Sequence, residues 1–163
     1  MKKIKWIVIL VDLVVLLVYF NYSIIKKEQL LEEGQLVLLE LAPVDRRSLM
    51  QGDYMTLRYA ISENLNADSM PKRGYCVVQL DSNGVANRVR FQKNIIPLHK
   101  GEHLISYAAP DSWNINIGAE SFFFEEGQAE KYDSAKYGGV RVDQNGKSLL
   151  VGLYNEQRKK IEK

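Results

Sequence analysis

The sequence predicts an α+β fold, in which an N-terminal transmembrane helix precedes a strand-rich single domain of eight or nine strands and one short helix. Three observations predict it. Residues 4–25, IKWIVILVDLVVLLVYFNYSII, are one apolar run, long enough at about 1.5 Å per residue to cross a hydrocarbon core of roughly 30 Å. Beyond it, short apolar stretches flank DSNG (81–84) and QNG (144–146), the pattern of antiparallel hairpins. From Gly127 onward, Ala129, Tyr132, Ala135 and Lys136 recur at helical spacing, the mark of a short amphipathic helix.

A chain of 163 residues, 46% hydrophobic and 26% charged, holds one ordinary domain in addition to such an anchor. The expected division is an anchor and stalk over residues 1–33, a β-rich domain over 34–156 and a basic tail over 157–163. Cys76 is the single cysteine, so no intramolecular disulfide exists, and its place in the apolar run YCVVQL predicts a buried structural thiol. Lys2, Lys3, Lys5 and Asp12 account for the whole formal net charge of +2, which leaves the rest of the chain neutral. That balance argues against nucleic-acid binding.

The apolar run ends in Tyr19, Phe20, Asn21 and Tyr22 rather than a small-x-small cleavage site, so it reads as an uncleaved anchor in the lipid bilayer. Three lysines precede it and Lys26 and Lys27 follow, a slight bias toward a cytoplasmic N-terminus and an extracytoplasmic domain. Asp12 interrupts the run. A carboxylate near a helix centre costs roughly 2.5 to 3.5 kcal/mol on insertion scales, which the surrounding aliphatic residues outweigh. It either lies toward one end and draws in water without a role, or contacts another membrane helix.

The segment KKEQLLEEG continues the helix as a stalk, with Gly34 as its stop. QLVLLEL (35–41) is apolar enough to be a strand buried on both faces or central in a sheet, ended by Ala42 and Pro43. VDRRSLMQG predicts one helical turn capped by Asp45. GDYMTLRY (52–59) follows as a central strand, with Asp53, Met55, Leu57, Tyr59 and Ile61 on one face and Tyr54, Thr56, Arg58 and Ala60 on the other. SENLNADSMPKRG reads as a long surface loop. GYCVVQL and VANRVRFQ form a hairpin in which Asn83 and Gly84 take positive φ, and the residues around Asn145 and Gly146 repeat that arrangement locally. EHLISYA and WNINIG are two further strands, ESFFF is a buried strand, and Gly138 with Gly139 stops the short helix.

GDYMTLRY resembles the signature of the GDYXXLXY family of membrane-anchored bacterial proteins, matched by Gly52, Asp53, Tyr54, Leu57 and Tyr59. The resemblance extends through LAPVDRRSLMQ before the signature and through GAESFFFEEGQAEKYDSAKYGGVRVD (118–143). Arg46 departs from it, standing where the family's turn often has a proline after the aspartate, which implies a softer turn. The resemblance carries no activity. It implies a membrane assembly, because proteins of this kind tend to be encoded beside polytopic membrane proteins, and such a protein is the expected partner.

The candidate binding surface comprises Asp45, Asp53, Tyr54, Arg58, Tyr59, Glu120, Glu126, Tyr132, Tyr137 and Arg141, a set able to line a polar groove for a partner or small ligand, with Asp12 as the membrane contact. The same acids could serve a cell-envelope hydrolase if their environments separated their pKa values at suitable distances. Ser48, Met50 and Gly52-Asp53 faintly resemble signal-peptidase elements, but the spacing is short and no lysine base is singled out. His99 and His103 are four apart, yet Pro97 and Gly101 oppose a helix that would align them, so they are expected as exposed loop residues, and neither a metal nor a cofactor is expected.

Overall fold

The computed structural model describes residues 2–42, 54–63, 65, 70–110 and 114–162. The chain divides into two units, Met1–Glu33 and Gly34–Lys163. The first is helix α1, Lys2–Glu33, whose apolar side chains from Ile4 to Ile25 are exposed around its whole circumference. It is long and apolar enough to cross a membrane, which suits a membrane anchor or a signal sequence. Asp12 is exposed on it.

The second unit is built from eight strands among the described residues: β1 (Gln35–Glu40), β2 (Tyr54–Thr56), β3 (Arg73–Leu80), β4 (Ala86–Gln92), β5 (Glu102–Ala108), β6 (Ser121–Phe123), β7 (Ala135–Val142) and β8 (Ser148–Asn155). They form three antiparallel sheets, ordered β1-β7-β8, β2-β6 and β4-β3-β5. One core joins them, with Val37, Leu39, Cys76, Val78, Ile105, Val140 and Leu153 all fully buried. Cys76 is thus the structural thiol its setting predicts, and burial pushes its pKa up to about 12.

The two hairpins share one turn chemistry. In each, an aspartate carboxylate accepts two backbone N–H bonds: Asp81 from Asn83 and Val85, at 2.8 and 2.9 Å, and Asp143 from Asn145 and Lys147, both at 2.8 Å. Only the glycines take positive φ, Gly84 at 79° and Gly146 at 81°, so Asn83 does not share that conformation as expected. The asparagine is relieved of it because a three-residue loop with a single left-handed position closes the hairpin.

Each turn also caps the other sheet. The Gly84 carbonyl accepts from Leu38 N–H of edge strand β1 at 2.9 Å, and the Gly146 carbonyl accepts from Ser106 N–H of edge strand β5 at 2.7 Å. Each of these edge strands thereby has one N–H taken up by the other sheet's turn. Strand β1 is accordingly buried on both faces, with Val37, Leu38 and Leu39 at most 5% exposed, although it lies at the end of its sheet rather than its centre. A third turn of the same kind, missed in the sequence, spans Asn155–Lys159 with Arg158 at φ 59° and returns Ile161 N–H to the Leu153 carbonyl at 2.8 Å.

Several expected elements are shorter or different. Among its described residues GDYMTLRY supplies the three-residue strand β2, paired with β6, and no central strand; the alternation holds over them, with Met55, Leu57, Tyr59 and Ile61 buried and Tyr54, Thr56, Arg58 and Ala60 exposed, while Asp53 lies outside the described residues. Among its described residues WNINIG contributes one bridge, Ala108 to Asn116, because Gly118 at φ 80° turns the chain and the N–H groups of Ile117 and Gly118 go to the Glu120 side chain. The helix expected after Gly127 is one 3-10 turn, Ala129–Tyr132, and a second such turn is Ala60–Ser62. Gly138 and Gly139 do not stop a helix but lie inside β7. His103 lies on β5, not in a loop. The turn expected over 44–52 lies outside the described residues.

Candidate functional site

Tyr59 ties the signature into the framework. Its ring is 1% exposed, its hydroxyl donates to the Ala119 carbonyl at 2.5 Å, and its backbone bridges Leu41 just beyond β1. Burial, reinforced by Glu120, pushes the phenol pKa well above its ordinary value. A buried, neutral hydroxyl with its proton committed to a carbonyl is a structural tie rather than a surface contact.

Glu120 is committed too. Its carboxylate accepts from the backbone N–H groups of Ile117 and, at 3.0 Å, Gly118, while its own carbonyl accepts from Leu57 N–H at 2.7 Å. The acid therefore fixes the turn that sets Ala119 under Tyr59. Arg141 likewise donates to the Gly34 carbonyl at 2.6 Å, holding the first residue of the domain against β7.

Of the remaining aromatic candidates, Tyr54 and Tyr132 lie around β2 and β6. Tyr54 faces Phe123 across the ladder with ring centroids 5.7 Å apart, and both are exposed, at 37% and 67%. Phe122, on the opposite face of β6 from Phe123, is buried and meets the buried Tyr132 edge-on at 4.9 Å. Phe124 stacks near Phe122 and lies 5.5 Å from Tyr132. ESFFF is thus a strand of alternating exposure, not a wholly buried one, since a three-residue ladder with one covered face buries every second side chain.

Beside this group is an open cleft of about 220 Å³ lined by Phe123, Phe124, Glu125, Gln128 and Tyr132. Glu126 is exposed in the adjoining turn. Arg58 is exposed, with its carbonyl accepting from Ala42 N–H at 2.9 Å. Tyr137 is half-buried on β7, opposite Glu40 on one side and Tyr154 on the other. Asp45 and Asp53 lie outside the described residues, as do Ser48, Met50 and Gly52.

The structure therefore puts Tyr54 with Phe123 on the exposed face of the β2–β6 ladder and Tyr132 with Phe122 and Phe124 in a separate aromatic group, and gives Tyr59, Glu120 and Arg141 to the framework. Phe123, Phe124 and Gln128 were not singled out from the sequence. No signal in the run of three phenylalanines marks Phe123 as the exposed one; the core beneath β6 decides it. Among the described residues, no group of three or more His, Cys, Asp and Glu is arranged to hold a metal ion.

The family model described as GDYXXLXY protein matches residues 16–153, from within α1 to Leu153 in β8. No curated protein and no solved structure matches the chain. With a match over most of its length, the chain belongs to the GDYXXLXY family.

Proposed function

We propose that this chain is a membrane-anchored, extracytoplasmic and non-enzymatic module whose Tyr54–Phe123 face binds a membrane-protein partner. The observation that carries the reading is the exposed cross-strand pair itself: two large aromatic rings in tilted contact, exposed to solvent on a ladder whose other face is packed into the core. Paired aromatic anchors with an acidic rim, here Glu125 and Glu126, are the composition of a protein-binding patch. The adjacent cleft of about 220 Å³ is smaller than the roughly 300–1,000 Å³ typical of small-molecule pockets, which favours a protein over a small ligand. A hydrolase reading is weakened by Glu120, whose carboxylate is taken up by backbone N–H groups.

The test places a photo-crosslinking phenylalanine analogue at Phe123 of the full chain in its native membrane, with the same probe at exposed Asn87 as control, and fuses alkaline phosphatase after residue 163. A specific adduct from position 123 and an active phosphatase are expected. An adduct pattern indistinguishable from the Asn87 control would remove the proposed face, and an inactive phosphatase would reverse the orientation.

A further inference from the structure

The β4–β5 loop, residues 93–101, presents Ile95, Ile96 and Leu98 to solvent at 42%, 76% and 42% exposure. It is held firmly in that arrangement. The Gln92 side-chain amide donates to the carbonyls of Asn94 and Ile95 at 2.8 and 3.2 Å, and the Arg90 guanidinium donates to the Pro97 carbonyl at 3.0 Å. Arg90 also meets Glu102 through two bonds, of 2.5 and 2.8 Å, and Glu102 accepts from His99 N–H at 2.8 Å. A fold that fixes both ends of an isoleucine-tipped loop while leaving the tip in water presents that tip to something apolar.

The charges around the tip indicate what that is. Residues 82–101 contain no aspartate or glutamate, and Lys93, His99 and Lys100 flank the apolar residues and are exposed. Apolar side chains bordered by cations, with the adjoining Glu102 carboxylate taken up by Arg90 and His99 N–H, match a bilayer interface, where the former enter the acyl boundary and the latter meet anionic headgroups. The tether is also short, since only residues 26–33 separate the end of the apolar run at Ile25 from the start of the domain at Gly34.

We propose that the 93–101 loop is a lipid-contact site, in which Ile95, Ile96 and Leu98 enter the interface of an anionic bilayer and Lys93 and Lys100 meet its headgroup phosphates. The inference rests on the anchored reading of α1 and is independent of the Tyr54–Phe123 face. Its chemistry is that of a second, reversible membrane contact added to a permanent one, which would hold the domain down on the lipid surface.

The test uses the full chain carrying Ile96→Cys, labelled with an environment-sensitive fluorophore and reconstituted in phosphatidylcholine vesicles with or without phosphatidylglycerol. The native Cys76 is fully buried, so the label goes to position 96. In vesicles containing phosphatidylglycerol, emission shifts to the blue and is quenched by lipid-borne nitroxides, while a label at Ser82→Cys stays in water. Replacing Lys93 or Lys100 with Gln lowers the ratio of docked to free loop about fivefold each, the equivalent of about 1 kcal/mol per basic residue at an anionic surface. A label at position 96 that stays in water in anionic vesicles overturns the proposal, as does one shielded only when other membrane proteins are present, which would assign the loop to a protein partner. Flotation with the vesicles reports the anchor separately, so a floating chain with a water-exposed loop sinks this inference and leaves the anchor standing.

Discussion

The ring of Tyr59 occupies the space that a side chain at Gly138 would fill: a Cβ placed there would lie 2.8 Å from Cε1 and 3.1 Å from the hydroxyl of the tyrosine. Seventy-nine positions apart, the signature tyrosine and a glycine in the middle of β7 are thus one packing unit, completed by the hydroxyl's bond to Ala119. Gly138→Ala forces overpacking against a buried ring and is expected to destabilise the domain by about 1–3 kcal/mol. Tyr59→Phe leaves the Ala119 carbonyl without its partner and is expected to cost a similar amount, about 1–3 kcal/mol. Urea unfolding of the full chain in detergent checks both, and the double variant should deviate from additivity because the two residues touch. Strict additivity would separate them.

Acid and alkali should act through different residues. The Arg90 guanidinium, with help from His99 N–H, holds the Glu102 carboxyl down at about 2 against an ordinary 4.5. A depressed carboxylate contributes stability that is fully present above pH 4.5 and is lost as pH falls toward 2. Glu102→Gln should therefore flatten that part of the acid limb of a stability-against-pH curve. The Cys76 thiol and Tyr59 phenol are raised, chiefly by burial, so their contribution is present below about pH 9 and 10 respectively and is lost as pH rises. Cys76→Ala should shallow the alkaline limb from pH 9 upward, and an unchanged slope would count against the thiol.

The three related turns predict a ranking among substitutions at their left-handed position. Arg158 holds φ 59° with a Cβ, which costs about 1–2 kcal/mol against a glycine there, partly offset by glycine's greater freedom in the unfolded chain. Arg158→Gly should therefore stabilise, by on the order of 0.5 kcal/mol. Gly84→Ala should cost about 1 kcal/mol from backbone strain alone, since nothing lies within 4 Å of its added Cβ. Gly146→Ala should cost more, because its Cβ would meet Ser106 N and Tyr75 at 3.1 Å where the turn docks on β5. Thermal unfolding midpoints of the three variants give the order directly.

Asp12 tests the membrane assembly from the other side. Asp12→Leu removes a cost of about 3 kcal/mol on insertion scales, so insertion should be kept or improved. If another helix supplies a donor or cation, the same change should weaken co-purification with a polytopic membrane protein after mild detergent extraction, and Asp12→Asn should fall between the two. Equal recovery of the same proteins from wild type and Asp12→Leu would make Asp12 a tolerated polar residue.

What the sequence by itself determined are the features written in neighbouring residues. The apolar run of α1, the alternation of Met55, Leu57, Tyr59 and Ile61, and the Asp-x-Asn-Gly turns at 81–84 and 143–146 all follow from side-chain period or from local hydrogen bonding and are present, the turns with positive φ at the glycines and not at Asn83. The tertiary structure decided the roles that depend on distant partners. Gly138 and Gly139 look like a helix stop in the chain, yet they are strand residues because the rings of Tyr59 and Tyr154 take the space above them. Glu120 looks like a candidate acid, yet its oxygens are drawn to the N–H groups of a turn. Phe122 and Phe123 are identical in sequence terms, and only the core beneath β6 buries one and leaves the other in solvent. The physical reason is common to these cases: a residue's period and turn propensity are set by its neighbours, whereas the space and hydrogen-bonding groups left for its side chain are set by segments far away in the chain.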